Sequence, residues 1–187
     1  MEALFQQLDK LQTGDILVLA GSIPASLQPD TYEKILARLQ GHGVQSVVDA
    51  SGALLAGVLA YHPFLIKPNH HELAEIVGRP LQGDDQITGA ARELQERGAC
   101  NVLVSMAGDG ALLLDADGGV HRIGTPRGTV INSVGAGDSM LAGFLAGYLR
   151  TGSYETALRL GTACGSATAF SLGLATRQEI DRLLAQL

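Results

Sequence analysis

The sequence predicts an α/β fold, a three-layer αβα domain with a mostly parallel sheet, on three observations. Short apolar runs alternate with stretches of helical periodicity from one end of the 187 residues to the other. The polar and glycine-rich groups fall after the apolar runs rather than before them, as ligand-binding loops do at the carboxyl rim of open α/β sheets. Hydrophobic residues make up 46% and charged residues 17%, the balance of a folded chain with a core of its own.

The elements follow in order. Leu4, Phe5, Leu8 and Leu11 share one face of a helix over residues 2–11, stopped by Thr13-Gly14. Ile16–Ala20 is a continuous apolar run, expected to be a strand buried on both faces. Pro29 fits the first turn of a helix carrying Tyr32, Ile35, Leu36 and Leu39, closed by Gly41 and Gly43. Ser46–Val48 and Phe64–Ile66 read as strands separated by a helix over 53–60. A helix through Leu73 and Ile76 ends at Gly78, Arg79–Asp85 reads as a loop, and residues 86–97 form a helix stopped by Gly98. Val102–Val104 is the next strand, and 111–115 with 120–123 flank Ala116-Asp117-Gly118-Gly119 as a hairpin. Thr129-Val130-Ile131 is a short β-type segment leading into a glycine turn and a helix through Met140, Phe144 and Leu149. A small-residue helix over 154–171 follows, and Thr176-x-x-Glu179 opens the last helix as a capping box.

Several classes of function are excluded early. A net charge of −6 argues against a nucleic-acid or anionic-membrane surface, so an anionic ligand has to be held by local donors. Cys100 and Cys164 have neither metal-ligand spacing nor a disulfide framework, and no leader or membrane span is visible, so the expected compartment is the cytoplasm. The pair His70-His71 has no second ligand cluster to make a zinc site.

The chemistry concentrates in Asn132-Ser133-Val134-Gly135-Ala136-Gly137-Asp138. Glycines around one alanine permit a tight turn whose N–H groups approach a ligand where a Cβ would collide. The first amides of the following helix lack intrahelical acceptors and sit at its positive end, a ready site for an anion such as a phosphoryl group. Asp138 stands beside that site, either as a helix cap or as a base that takes a hydroxyl proton while the amides steady the transferring group. No Gly-x-x-x-x-Gly-Lys-Ser/Thr occurs, and Met140 replaces the third glycine of a dinucleotide fingerprint, so both of those phosphate motifs are out. In Lys67-Pro68-Asn69-His70-His71-Glu72, Asn69 and Glu72 have the spacing of a capping box, which spacing alone favours over a ligand role.

Val130 to Ser139 closely resembles the second signature of the ribokinase-like sugar kinases, the phosphofructokinase-B group. The resemblance implies a ribokinase-like, Rossmann-like fold, with Asp138 as catalytic base and the backbone of Gly135, Ala136 and Gly137 as the anion hole. It implies that Lys67 and Asn69 face nucleotide phosphates and that Glu72 helps hold Mg²⁺; one glutamate suffices, since phosphate oxygens and water complete that ion's shell. Ser105 to Gly110 resembles the family's Ser-x-Gly-x-x-Gly nucleotide loop, implying ATP contacts from Ser105, Ala107, Gly108 and Gly110; Ala107 stands where the family has glycine. Gly21-Ser22-Ile23-Pro24 is similar to the family's substrate-side element, which places Gly21, Ser22 and Asp138 near the sugar, and Asp49-x-Ser51-Gly52 also matches. Arg127 precedes the signature.

The implied activity is ATP-dependent phosphoryl transfer to a hydroxyl of a sugar phosphate. The Asn-Ser-Val form points to the branch that converts fructose 1-phosphate to fructose 1,6-bisphosphate, with tagatose 6-phosphate as the alternative acceptor. Family members are longer and begin with further strands and a small β-sheet lid that carry most sugar contacts. Residues 1–187 are therefore expected to be a single carboxyl-terminal, nucleotide-side part of such a kinase domain, with a homodimer in the full-length form. A reading of another class, a non-catalytic nucleotide-binding remnant, is carried beside it.

Overall fold

The computed structural model describes residues 2–187. They fall into two compact units, one ending at Leu103 and the other covering Val104–Leu187. The boundary lies inside a strand.

The first unit opens with α1 (Glu2–Leu8), shorter than the periodicity predicts because Leu11 already belongs to the following turn. Then come β1 (Ile16–Ala20), α2 (Thr31–Leu39), β2 (Gln45–Asp49), α3 (Gly52–Val58), β3 (Leu65–Ile66), α4 (His70–Val77), α5 (Gly83–Glu96) and β4 (Asn101–Ser105). β1 to β4 lie side by side in chain order. The β1–β2, β2–β3 and β3–β4 ladders are all parallel, with Val18 opposite Val47, Val48 opposite Ile66, and Ile66 opposite Val102. Such neighbours need crossover helices, and the helical patterns between the strands supply them. Val47, Val48, Leu65, Ile66, Val102 and Leu103 are completely buried, as expected of strands covered on both faces.

Three expectations change here. β1 is not buried on both faces: Leu19 is buried but Val18 is 42% exposed. Successive residues face opposite sides of a sheet, so the face of β1 that carries Ile16, Val18 and Ala20 is only partly covered among the described residues. Pro29 lies outside α2, because the Thr31 amide and hydroxyl both bond the Gln28 carbonyl and make residues 28–31 a turn of their own, with proline at its favoured second position. Residues 83–85, read as loop, form the first turn of α5, where Asp84 and Asp85 suit the positive end of the helix.

The second unit holds β5 (Ala111–Leu114), β6 (Val120–Ile123), α6 (Ala136–Thr151), α7 (Tyr154–Ala169) and α8 (Arg177–Leu184). β5 and β6 make the expected antiparallel hairpin. Asp115 ties its turn by accepting from the amides of Asp117 and Gly119, and it meets His121 Nε2 at 2.7 Å. α6 and α7 pack closely because small residues line their seam: a Cβ on Gly161 would lie 2.8 Å from the Met140 carbonyl oxygen, and one on Gly165 3.0 Å from that of Ala136. Thr129–Ile131 is not a strand. Its β-branched residues favour extension, but no strand of the described residues pairs with it; the backbone amides of Ile131 and Asn132 both donate to the Ala169 carbonyl at the end of α7.

Candidate active site

In the first unit the parallel register brings the ends of β1, β2 and β3 together. Gly21, in the left-handed region at φ 82°, follows β1 and donates its amide to the Asp49 carbonyl at 3.1 Å. Lys67 follows β3, donates its amide to the Val48 carbonyl, and reaches Asp49 Oδ2 with Nζ at 3.1 Å. Lys67 is buried, so this is an ion pair largely withdrawn from water. The Tyr32 hydroxyl donates to the Ala20 carbonyl at 2.8 Å, with the Gly21 carbonyl at 3.2 Å. Burial, then the charge of Asp49, raises the Tyr32 pKa, so the phenol stays a neutral donor. Ser22 is exposed beside Gly21.

Asn69 and Glu72 form the capping box that their spacing predicts. Asn69 Oδ1 accepts from the amides of His71 and Glu72 at 2.9 Å, and Glu72 Oε2 accepts from the Asn69 amide at 2.7 Å. This leaves Glu72 Oε1 and the Asn69 side-chain NH₂ without a partner among the described residues, so capping and ligand contact are compatible. The described residues hold no cluster of three or more His, Cys, Asp or Glu side chains able to cage a metal. A single free carboxylate oxygen fits an ion that takes most of its ligands from phosphate and water.

In the second unit, Ser105 ends β4 and Ala107–Asp109 make one 3₁₀ turn closed by the Met106 amide on the Gly110 carbonyl. Ala107 has φ 48°, a left-handed conformation that glycine takes freely and alanine takes at a cost of about 1 kcal/mol. The position where the family pattern expects glycine is therefore one where the backbone needs it. Gly108 and Ala107 are exposed, and Gly108 accepts from the Thr125 hydroxyl at 2.8 Å. Gly110 is buried, and a Cβ there would collide with the Ile123 carbonyl of β6.

The glycine turn itself starts α6. Gly135, at φ 77°, is the residue before the helix, and Asp138 is the third helical residue. The Asp138 side chain is exposed in the first turn of α6, and Gly135 at the cap position has no side chain with which to cap. The Ala136 amide is used within the turn, donating to the Ser133 carbonyl at 3.2 Å. The amides of Gly135, Gly137 and Asp138 have no acceptor among the described residues. Three unpaired N–H groups and an unengaged carboxylate thus share one positive helix end. Asn132 holds the approach, accepting from the Val134 amide and donating to the Leu172 carbonyl. The Arg127 amide donates to Gln186 Oε1 at 3.0 Å.

Sequence reasoning missed that Lys67 is paired with Asp49. The signal that pairs them is the β2–β3 register: with Val48 opposite Ile66, the next residues along, Asp49 and Lys67, stand side by side.

The 1-phosphofructokinase of Bacillus subtilis is 47% identical over 185 residues, 99% of this chain and 61% of that protein. The D-tagatose-1-phosphate kinase of Bacillus licheniformis is 34% identical over 187 residues, 100% of this chain and 61% of that one. The crystal structure of phosphofructokinase-2 from Escherichia coli in complex with substrates and products superposes with a TM-score of 0.91 at 31% identity, over 98% of this chain and 61% of that structure's chain. The chain thus spans about three fifths of the length of these relatives. The model of the pfkB family carbohydrate kinases matches residues 1–181, and the chain belongs to that family.

Proposed function

We propose that the protein carrying this chain transfers a phosphoryl group from ATP to a hydroxyl of a sugar phosphate, fructose 1-phosphate to fructose 1,6-bisphosphate. One observation carries the reading: the unengaged Asp138 carboxylate stands at a helix start beside the unpaired amides of Gly135, Gly137 and Asp138. Asp138 takes the proton of the attacking hydroxyl. The amides, with Ala136 shaping the turn, receive the negative charge of the group in flight, which a loose transition state spreads over its oxygens. Phosphoryl transfer asks mainly for positioning, so a carboxylate of low basicity suffices.

Lys67 and Asn69 would face the nucleotide phosphates, and the free oxygen of Glu72 would help hold Mg²⁺, which when bound neutralises phosphate charge. Ser105, Ala107, Gly108 and Gly110 would border the nucleotide; Gly21 and Ser22 would border the sugar. The alternative acceptor is a tagatose phosphate. The relative from Bacillus licheniformis favours the 1-phosphate over the 6-phosphate, since tagatose 1-phosphate differs from fructose 1-phosphate only in configuration at one carbon.

The test is a chimera in which this chain replaces the matching part of the Bacillus subtilis enzyme, assayed by ADP release with fructose 1-phosphate. Turnover is expected, and Asp138→Asn should lower kcat by about a thousandfold while ATP binding persists. Turnover that survives the substitution would refute the assignment of Asp138. A correctly folded chimera that binds ATP without turnover would support the non-catalytic reading instead.

A further inference from the structure

α7 carries two buried threonines among the mostly small residues of its buried face, and they differ. Thr162 Oγ1 has no hydrogen-bond partner, as expected of a hydroxyl carried along for its methyl group. The Thr168 hydroxyl, 2% exposed by residue, has two: it donates to Ser139 Oγ at 2.9 Å and accepts from the Ala175 amide at 3.3 Å. A hydroxyl in such a seam is costly unless bonded, and alanine would pack there without it, so these two bonds are what distinguish the residue.

Ser139 directly follows Asp138. At the other end of the turn, the Thr168 methyl group comes within 4.0 Å of the point where a Cβ on Gly135 would lie. Gly165, one helical turn earlier on the same face of α7, lets the Ala136 carbonyl approach closely. One side chain therefore ties Ser139, the residue after the Gly135–Asp138 turn, to the segment at Ala175, and its methyl group lies on the side of the turn where Gly135 has no side chain. The turn needs such a brace. Its glycines are permissive, and amides stabilise a transferring group only when held within roughly half an ångström of the productive geometry.

We propose that Thr168 is a positioning residue for phosphoryl transfer, fixing through Ser139 the amides and the carboxylate of the Gly135–Asp138 turn. The proposal rests on the phosphoryl-transfer reading of that turn, and its test has two readouts that separate the two ideas. The ¹⁵N-labelled 187-residue chain is titrated with inorganic phosphate while the amide signals of Gly135, Gly137 and Asp138 are followed. Amide hydrogen exchange at Ser139, whose N–H bonds the Gly135 carbonyl at 2.9 Å, is measured without phosphate.

Thr168→Val, of the same shape without the hydroxyl, should weaken phosphate binding about fivefold and speed Ser139 exchange about tenfold. Thr168→Ser should restore both, and Ser139→Ala should match Thr168→Val with no further loss in the double variant. Unchanged binding and exchange in Thr168→Val, or independent effects of the two substitutions, would overturn the proposal. Should Thr168→Val not fold, Ser139→Ala decides alone, and unchanged exchange around Gly135 and Gly137 there overturns it. Should the parent chain show no phosphate response at these amides while Thr168→Val still speeds exchange, the anion site falls and the brace stands.

Discussion

Lys67 Nζ lies 3.1 Å from Asp49 Oδ2, with the lysine side chain 6% and the aspartate 18% exposed, so two opposite charges share the end of the β2–β3 ladder largely out of water. Attraction in such a place roughly offsets desolvation, but removing one partner strands the other. Lys67→Met is therefore expected to cost about 3 kcal/mol in urea unfolding. Asp49→Asn should cost a similar amount, and Lys67→Met with Asp49→Asn together far less than the sum. Simple addition of the two losses would show that the pair is not coupled.

The loop after β4 offers a gain of stability. Ala107 sits at φ 48° with its side chain exposed, so Ala107→Gly removes strain and no packing. The added freedom of the unfolded chain takes back part of that gain, leaving about 0.5 kcal/mol of net stabilisation. Gly110→Ala should do the reverse. It forces alanine to φ 92° against the Ile123 carbonyl and should cost 3 kcal/mol or about that, with loss of the β5–β6 hairpin. Equal stability of the two variants in thermal unfolding would contradict the reading of this turn.

What could be read from the sequence divides by how local each feature is. The capping boxes at Asn69/Glu72 and Thr176/Glu179 form within four residues, and both are present where spacing puts them. The hairpin was equally legible, because its turn residues lie between its strands. Lys67 and Asp49 belong to different strands, and only the register brings them together. Val18 carries a side chain suited to a covered strand, but cover comes from other elements, and the face of β1 that carries it is only partly covered among the described residues. Val130 and Ile131 likewise have strand-forming side chains, yet a strand exists only with a partner to pair with. The Gly135–Asp138 turn could be located in sequence; which of its amides are free could not, since that depends on Ser133 taking the Ala136 N–H.

The hairpin also predicts a pH dependence. Burial pushes the Asp115 carboxyl up, but the His121 hydrogen bond, the Gly119 and Asp117 amides and the imidazole charge together hold it below the usual carboxylate value. A carboxyl whose folded pKa is depressed contributes stability above its unfolded pKa and loses it as pH falls through the folded one. Asp115→Asn is therefore expected to destabilise by about 2 kcal/mol at neutral pH. The gap should close as pH drops below about 4, the unfolded carboxylate range. A gap that stays constant from neutral pH down to acid unfolding would show that the charge of Asp115 does not hold the turn.

Two mid-helix glycines provide the last comparison, since identical substitutions should move stability in opposite directions. Gly89, in α5, has nothing within 4 Å of the point where a Cβ would be added. Alanine there lowers the freedom of the unfolded chain and meets no neighbour, so Gly89→Ala should stabilise by about 1 kcal/mol. Gly161, in α7, faces the Met140 carbonyl oxygen at 2.8 Å and the Phe144 Cβ at 3.2 Å from the same point. Both belong to the backbone or its first side-chain carbon and cannot swing away, so α6 has to shift. Overpacking of this kind costs about 2 kcal/mol. Because α6 carries Asp138 at its start, Gly161→Ala should also displace the amide signals of Gly137 and Asp138, whereas Gly89→Ala should leave them in place. Stabilisation by both substitutions would mean that the α6–α7 seam tolerates a methyl group and does not fix where the turn sits.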